Sequence, residues 1–382
     1  MMGDKTMFNK FKPKRQPKSE TIRKILICQS NKDLIQCRKH IDQIGGTIVK
    51  ELPLVNGLVC ELPDVLIYEL ESTSGIKRIE DDIKFHTSCL KFLFQKRNTP
   101  QQKPQEVGWG VRRIGAPDAW PLSRGSQVSV AVIDTGVQLD HPDLKGRLGK
   151  GYNAVSTGRS ANDDNGHGTH VAGIIAAADN DIGVVGVAPE VMIHPVKVLD
   201  SSGAGSLSDV IEGLEWCIEQ QVDLVNMSLG ASQASETFRE MIKIAAERGI
   251  IIVAAAGNSG PTMDSIDYPA RYPETIAVAA SNQQDSIADF SSRGREVDIT
   301  APGVEIPSTY LKGEYRSLSG TSMATPHITG TIALLKARKA ELNLADIKAI
   351  LRRSAYELPN YSPEYQGVGL VQAGVAINKY SD

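Results

Sequence analysis

From Val107 onward, short runs of β-branched residues alternate with stretches rich in glycine and alanine. Two of these runs are VSVAVI at residues 128–133 and IIIV at residues 250–253, and such runs are typical of strands buried on both faces of a parallel sheet. The small-residue stretches predict helices that pack closely against that sheet. The alternation therefore predicts an α/β fold with a doubly wound, mostly parallel sheet.

Length and charge narrow the class of protein. The chain has 382 residues, enough for more than one domain, and 41% of them are hydrophobic. A net charge of −3 gives no reason to expect nucleic acid or an anionic membrane surface as a partner. The longest apolar runs are too short to span a bilayer. We therefore expect neither nucleic acid nor a membrane among its partners.

The cysteines and the N-terminus bear on the cellular compartment. Five cysteines are an odd and sparse set that does not suggest a disulfide framework. The first 18 residues are basic and polar and lack the apolar stretch of a secretory signal. Both observations favour a cytoplasmic location with reduced thiols, and secretion is the alternative.

The part of the chain before residue 105 divides into three segments. Residues 1–20 are lysine-rich, which predicts a disordered N-terminus. Residues 21–90 carry strand and helix patterns in the order β-α-β-β-α-β, with a hairpin signal at Asn56-Gly57 and a last strand at residues 79–85, and this order predicts a ferredoxin-like domain. Residues 91–104 are polar and predict a linker, so the large domain spans residues 105–382.

The stretch SGTSMATPH at residues 319–327 precedes an apolar, small-residue helix. We expect Pro326 in the first helical turn, where its missing N–H costs nothing. Ser322 would then lie at a helix N-terminus, where backbone N–H groups and the helix dipole favour a developing negative charge. The alternative is that a serine or threonine here only caps a buried helix.

Three other polar residues stand at the ends of predicted strands or the start of a helix. Asp134 ends the strand at residues 128–133, and catalytic groups of open α/β sheets lie at that end of a strand. His167 lies in NGHGTHVAG at residues 165–173, which predicts a second small-residue helix. Asn258 follows the strand at residues 250–253 in a glycine-rich loop, where an asparagine is ordinarily a turn former.

Asp134, His167 and Ser322, in this order along the chain, resemble the motifs of the subtilases, the subtilisin-like serine proteases. This order of the three residues is a known property of that family. The resemblance covers about residues 106–376 and implies a seven-stranded sheet and a serine endopeptidase that works through an acyl-enzyme. Ser322 would be the nucleophile, His167 its base and Asp134 the group that orients the base. The Asn258 amide and the Ser322 N–H would form the oxyanion hole.

The resemblance also implies a zymogen that processes itself. Residues 21–90 resemble a subtilase propeptide, which assists folding and then acts as an intramolecular inhibitor. The linker at residues 91–104 would be cut, and Lys96-Arg97 offers a point of cleavage. The alternative is that residues 21–90 form an unrelated ferredoxin-like domain.

Substrate contacts follow from the same resemblance. Peptide substrates would add as a strand to two extended segments, Gly203-Ala204-Gly205 and Ser228-Leu229-Gly230. An apolar pocket for the residue four before the scissile bond would be lined by Leu207, Val210 and Leu229, which could equally be ordinary core. Asp267 would lie at the floor of the pocket for the residue just before the scissile bond and favour Lys or Arg there. In the alternative, Asp267 faces solvent or binds a cation.

Two Ca²⁺ sites are implied as well. The stronger one would use oxygen ligands, which suit this ion: Gln105, Asp143 and Asn180 by their side chains, and Ala178, Ile182 and Val184 by their carbonyls. A weaker second site would combine Asp298 with the carbonyls of Ala270, Tyr272 and Thr275. The alternative to the stronger site is a surface loop rich in Asp and Asn that binds no ion.

Two other function classes compete with the protease. One is a catalytically silent binding or scaffold protein with the subtilase fold, which the intact set of polar residues argues against. The other is a nucleotide-binding doubly wound protein. No G-x-G-x-x-G follows the first strand and the sequence has no P-loop, so this class is disfavoured.

Overall fold

The computed structural model describes residues 21–90 and 104–380. The predicted disordered segment at residues 1–20 and nearly all of the predicted linker, including Lys96 and Arg97, lie outside these ranges. The described residues form two compact units, one of residues 21–51 with 56–81 and one of residues 52–55 with 82–90 and 104–380.

The smaller unit has the predicted β-α-β-β-α-β order. Its elements are β1 Thr21–Cys28, α1 Asn31–Gln43, β2 Thr47–Leu52, β3 Gly57–Pro63, α2 Ile67–Glu71 and β4 Ile76–Asp81. The four strands lie in the order β2-β3-β1-β4, with β1 antiparallel to both β3 and β4. One face of α1 buries Leu34, Cys37 and Ile41 in the apolar core of this unit, and Ser30 accepts a hydrogen bond from the Asp33 N–H at the start of the helix.

The prediction of a single last strand at residues 79–85 is wrong, because the chain forms two strands there. β4 ends at Asp81, and a separate strand β5 runs from Lys84 to Thr87. Between them, the Asp82 carboxylate accepts hydrogen bonds from the Ser208 N–H and hydroxyl, each at 2.8 Å, and the Ile83 carbonyl accepts one from the Leu207 N–H. These long-range bonds satisfy orphan N–H groups at a helix N-terminus, so they end the first strand.

The larger unit contains the remaining elements. Its strands are β5 Lys84–Thr87, β6 Glu106–Val107, β7 Ser129–Asp134, β8 Tyr152–Asn153, β9 Val184–Val185, β10 Met192–Lys197, β11 Ala204–Ser206, β12 Leu224–Met227, β13 Leu229–Gly230, β14 Ile251–Ala255, β15 Thr275–Ser281, β16 Ile299–Pro302, β17 Ile306–Thr309 and β18 Tyr315–Leu318. Its helices are α3 Trp109–Arg113, α4 Ala116–Ala119, α5 His167–Ala176, α6 Leu207–Glu219, α7 Glu236–Glu247, α8 Thr321–Arg338, α9 Leu344–Ser354, α10 Pro363–Gln366 and α11 Ala373–Lys379.

A seven-stranded sheet forms the centre of this unit, as predicted. Its strand order is β16-β15-β14-β12-β7-β10-β8, and neighbouring strands are parallel throughout. β7 lies where the order reverses, with β10 on one side and β12 on the other. In open α/β sheets, ligands bind beyond the carboxyl ends of the strands at this position. Asp134 is the last residue of β7 and therefore lies at that point.

Helix α8 begins earlier than predicted, and Pro326 is its sixth residue rather than part of the first turn. A proline inside a helix cannot donate to the carbonyl four residues before it, which here belongs to Ser322. That carbonyl instead accepts a hydrogen bond from the Ser228 hydroxyl at 2.9 Å. The side chain of a neighbouring segment thus replaces the missing helical bond, and the helix continues to Arg338.

Glu215 on α6 predicts a pH dependence of stability. Its buried carboxylate accepts a hydrogen bond from the Leu54 N–H at 2.8 Å, and burial raises its pKa from 4.5 to about 7. A raised carboxyl pKa favours folding at low pH, so this contribution is complete below pH 4.5 and is lost as the pH rises through 7. Between pH 5 and pH 8, we expect the free energy of unfolding of the parent protein, measured in urea, to fall by about 2 kcal/mol through this group. Glu215→Gln should not show this part of the fall. An identical pH profile in both proteins would contradict this.

Candidate active site

Asp134 and His167 form a buried hydrogen-bonded pair. Asp134 ends β7, His167 begins α5, and the His167 Nδ1 lies 2.7 Å from the Asp134 Oδ1. The two elements approach closely at Gly168, where a Cβ would lie only 2.1 Å from the Gly136 carbonyl oxygen. Any larger residue at this position would push the start of α5 away from the end of β7, so the glycine is needed to bring the pair together.

The second ring nitrogen of His167 is buried, and the residue lines a cavity. With Nδ1–H donating to the carboxylate, Nε2 carries the lone pair, and among the described residues it has no hydrogen-bond partner. His167 lines a cavity of about 300 Å³ together with Thr87, Cys89 and Tyr310. An imidazole in this state can accept a proton from a group that enters the cavity.

Ser322 is the second residue of α8, near the N-terminus of that helix. Its hydroxyl donates to the Ser228 carbonyl at 2.9 Å, and within the described ranges no hydrogen bond joins it to His167. Its backbone N–H donates to the Ser88 carbonyl at 3.1 Å. The N–H of this serine therefore already binds a carbonyl oxygen, as an oxyanion donor would.

Asn258 follows β14 and is oriented by a residue that sequence reasoning missed. Its Oδ1 accepts hydrogen bonds from both the N–H and the hydroxyl of Thr321, each at 3.0 Å. The amide nitrogen is thereby directed to the other side, next to Gly320. A Cβ on Gly320 would lie 3.4 Å from that nitrogen and 2.5 Å from the Ser88 carbonyl oxygen. The Asn258 amide and the Ser88 carbonyl thus lie on the same side of Gly320.

The two predicted substrate segments enclose a strand of the chain itself. β5 lies between β11 and β13 and is antiparallel to both. The Thr87 N–H donates to the Gly203 carbonyl at 3.1 Å, and the Ser88 N–H donates to the Ser228 carbonyl at 3.2 Å. His86 lies opposite Ala204 on one side and opposite Gly230 on the other. These segments therefore bind an extended peptide through its main chain.

Phe85 is the one fully buried side chain of β5. It packs edge to face against Phe238 of α7, with ring centroids 5.4 Å apart. Leu207, Val210 and Leu229, predicted for the apolar pocket, are fully buried. Phe238 was missed by sequence reasoning, since a phenylalanine on an amphipathic helix carries no signal that separates a pocket from ordinary core.

Comparison with known proteins assigns the family. A family model for the subtilases, Peptidase_S8, matches residues 125–369. Subtilisin E of Bacillus subtilis (strain 168) is 39% identical over 339 residues, which cover 88% of this chain and 84% of that protein. Subtilisin Savinase of Lederbergia lenta is 46% identical over 273 residues, which cover 71% of this chain and 99% of that protein. The chain belongs to the subtilase family.

The family resemblance, the enzyme class and the fold predicted from the sequence are thereby confirmed. This subtilase is a subtilisin-like serine endopeptidase, and its substrates are proteins. In the part of the chain that the structure describes, none of the helices is both long and apolar enough to cross a bilayer. The cytoplasmic location stays a prediction.

Asp267 of this subtilase borders the cavity next to Ser88. That cavity has a volume of about 530 Å³ and is also lined by Gly230, Asn258 and Ser259. A Cβ on Gly257 would lie 2.4 Å from the Asp267 Oδ2, so the carboxylate packs against glycine backbone. Burial raises its pKa to about 6, although the nearby Arg271 opposes the shift. No hydrogen bond or ion pair from a described residue satisfies this carboxylate, which is therefore available to a ligand in the cavity.

The residues predicted for the stronger cation site lie together around one loop. Asp143 is fully buried, and its Oδ2 accepts a hydrogen bond from the Val184 N–H at 3.0 Å. Burial raises the pKa of this carboxyl to about 7, although hydrogen bonds from the Val184 N–H and the Asn180 and Tyr315 side chains oppose the shift. The Gln105 side chain donates to the Ala178 carbonyl at 2.9 Å, and the Asn180 Oδ1 accepts from the Ile182 N–H. A buried carboxylate among amide and carbonyl oxygens is a set of ligands that fits Ca²⁺.

The residues predicted for the second site do not fit a cation. Lys348 already supplies a positive charge, with its Nζ 3.0 Å from the Asp298 carboxylate and 3.4 Å from the Pro273 carbonyl. The other Asp298 contact is the Ala277 N–H, and the Tyr272 carbonyl accepts from the Thr275 hydroxyl. The Lys348 ammonium would repel Ca²⁺ from Asp298, so this carboxylate does not fit the site predicted with the carbonyls of Ala270, Tyr272 and Thr275.

His170 lies three residues after His167 but has a different environment. It is fully buried, and its Nε2 lies 3.0 Å from the carbonyls of both Ile306 and Arg316. Burial lowers its pKa to about 3, so it stays neutral at ordinary pH. Its ring therefore joins β17 and β18 as a structural group.

Proposed function

We propose that Asp134, His167 and Ser322 are the catalytic residues of this endopeptidase and that Asn258 and the Ser322 N–H form its oxyanion hole. The observation that carries the proposal is the 2.7 Å bond between His167 Nδ1 and Asp134 Oδ1, which leaves the buried Nε2 without a hydrogen-bond partner among the described residues in a side chain that lines the cavity. His167 would take the Ser322 hydroxyl proton, and Asp134 would hold the ring in the required tautomer and stabilise its cation.

A rotation of the Ser322 side chain is part of this proposal. The hydroxyl now donates to the Ser228 carbonyl, whereas a nucleophile needs its proton directed at the base. Hydrogen bonds of catalytic groups often tighten only in the reacting complex, so a change of χ1 suffices. The backbone N–H of Ser322 keeps its position during this rotation and can bind the developing oxyanion.

Labelling with a fluorophosphonate tests the assignment against the silent scaffold. An activated serine attacks the probe at phosphorus and becomes covalently labelled, whereas an inactive fold does not react. We expect tryptic mapping to locate the label on Ser322 and expect His167→Ala to prevent labelling. A parent protein that folds, yet takes up no label at any serine, would favour the scaffold.

We propose further that residues 21–90 act as a propeptide and intramolecular inhibitor, ahead of a catalytic domain that begins near residue 105. The support is the position of β5 between β11 and β13, where it covers the segments that would bind a substrate. A peptide held there excludes other chains from the same main-chain hydrogen bonds. Residues 91–104 remain the proposed linker between the two parts.

We also propose a preference for Lys or Arg before the scissile bond. Asp267 would supply the negative charge, and the cavity it borders has room for a long side chain. The neighbouring glycines let a ligand approach closely, and Ser259 adds no opposing charge.

Ca²⁺ binding by Asp143 and the loop between α5 and β9 is the last part of the proposal. The side chains of Gln105, Asp143 and Asn180 and the carbonyls of Ala178, Ile182 and Val184 would hold the ion. When bound, it would contribute stability rather than chemistry, because none of these six residues is among the proposed catalytic residues.

Chelation is therefore expected to lower the melting temperature. A ligand present at about 1,000 times its Kd adds about 4 kcal/mol to the folded state, which corresponds to roughly 10 °C in a domain of this size. We expect differential scanning calorimetry in excess Ca²⁺ and in excess EGTA to show this difference. Asp143→Asn, which keeps the shape and removes the charge, should abolish it. Equal melting temperatures of the parent in both buffers would remove the ion from the proposal.

A further inference from the structure

The segment that follows β5 runs through the catalytic centre. The Ser88 N–H donates to the Ser228 carbonyl, and the Ser88 carbonyl accepts from the Ser322 N–H. Two residues later, the Leu90 N–H donates to the Ser319 carbonyl at 3.0 Å. The chain is therefore held on both sides of one peptide bond, the bond between Ser88 and Cys89.

The same bond lies between the groups that would cleave it. The carbonyl of Ser88 accepts a hydrogen bond from the Ser322 N–H, whereas Cys89 and His167 line the same cavity. The Ser88 carbonyl is thus bound by the nucleophile's own N–H, and the amide nitrogen belongs to a residue that shares a cavity with the general acid. Positioning of this kind supplies much of the rate of an intramolecular reaction.

We propose that this enzyme first cleaves its own chain between Ser88 and Cys89. The inference rests on the proposed catalytic residues and names the substrate bond. The Ser322 Oγ attacks the Ser88 carbonyl carbon, and His167 transfers the hydroxyl proton to the Cys89 nitrogen as the C–N bond breaks. Water then hydrolyses the ester, which leaves a Ser88 carboxylate and a Cys89 amine.

The register of β5 explains why this bond is selected. Counted back from the cut, Phe85 is the fourth residue, and it is the fully buried side chain packed on Phe238. Ser88 itself leaves the cavity beside Asp267 largely empty, so the main chain and Phe85 hold the segment in place. The bond after Arg97 lies nine residues beyond Ser88 and outside the described residues, and this proposal makes a cut there a later event.

The C-terminus of the small fragment tests the proposal. The purified full chain is incubated at low concentration, early samples are quenched, and the last peptide of the small fragment is sequenced by mass spectrometry. We expect it to end at Ser88. Trimming of the large fragment does not alter this end, so a small fragment that ends at another residue overturns the proposal. Fluorophosphonate labelling of the same sample reports separately on the proposed catalytic residues.

Cys89 offers a second readout. An N-terminal cysteine condenses with 2-cyanobenzothiazole, which internal cysteines do not, so the newly formed large fragment should become labelled. Cys89→Ser should still be cut but lose the label, and a label that persists in this variant overturns the assignment.

Two variants at Ser88 form a matched pair. Ser88→Pro removes the N–H that binds Ser228 and should slow fragment formation by about 100-fold or more. Ser88→Ala keeps both main-chain bonds and should be cut within about threefold of the parent rate. If Ser88→Pro is cut as fast as Ser88→Ala while both become labelled by the fluorophosphonate, the bond is not the substrate.

Discussion

Ser322→Ala is expected to abolish peptide-bond hydrolysis and to leave the precursor in one piece. In subtilisin, loss of the catalytic serine lowers kcat by about 10⁶-fold, and we take that relative's value as a reference, not as a figure derived from this structure. The reason is that His167 and Asp134 can only activate a hydroxyl that is present. Casein hydrolysis and gel analysis of the purified protein measure both effects.

Ser317→Ala is the control for this variant. It removes a hydroxyl from β18, five residues earlier in the chain, and should leave both activities near those of the parent. The Ser322→Ala protein should keep its melting temperature within a few degrees, because the lost hydroxyl donates a single hydrogen bond to Ser228. A Ser322→Ala preparation that is free of contaminating protease and hydrolyses casein at the parent rate would show that another residue is the nucleophile.

Asp267→Asn is expected to reduce the preference for Arg over Phe before the scissile bond by roughly 30-fold. A charge-assisted hydrogen bond in a partly desolvated pocket is worth about 2 kcal/mol, which corresponds to that factor in kcat/KM. The measurement is kcat/KM for paired peptides that differ only at this residue. Asp264→Asn is the matched control. It removes a charge three residues away, in the same loop, at a position whose left-handed backbone asparagine tolerates.

The preference for Arg should also depend on pH in the parent enzyme. The pKa of Asp267 is raised to about 6, so the carboxyl is neutral below that pH and negative above it. The ratio of Arg to Phe cleavage should therefore rise as the pH increases through 6 and should stay flat in Asp267→Asn. A parent that prefers Phe at pH 8 and is unaffected by Asp267→Asn would exclude the basic pocket.

The features that could be predicted from sequence are those encoded locally. The β-branched run that ends at Asp134 predicts both a buried strand and the position of a carboxylate at its end, and the structure has both. The small-residue stretch from His167 likewise predicts a helix that can approach that strand closely. Such patterns are formed by residues close together in the chain, so a single sequence is sufficient to predict the strand and the helix.

The features that were missed depend on partners distant in sequence. The strand predicted at residues 79–85 is divided because Asp82 binds Ser208, which lies 126 residues later. The second cation site fails because Lys348, 50 residues beyond Asp298, already pairs with it. Pro326 is tolerated inside α8 because Ser228 supplies the missing donor. No periodicity reports such contacts, since they form only when the chain is folded.

The contact between Ser228 and Ser322 affects how the enzyme loses activity on heating. The two residues exchange hydrogen bonds, each hydroxyl donating to the other's carbonyl at 2.9 Å. The segment that holds a bound peptide and the helix that carries the nucleophile are thus joined directly to each other. Loss of activity on heating should then require the same cooperative melting as the whole sheet, with no earlier loosening of the centre alone. The temperature at which turnover stops and the temperature at which the fold melts should therefore coincide.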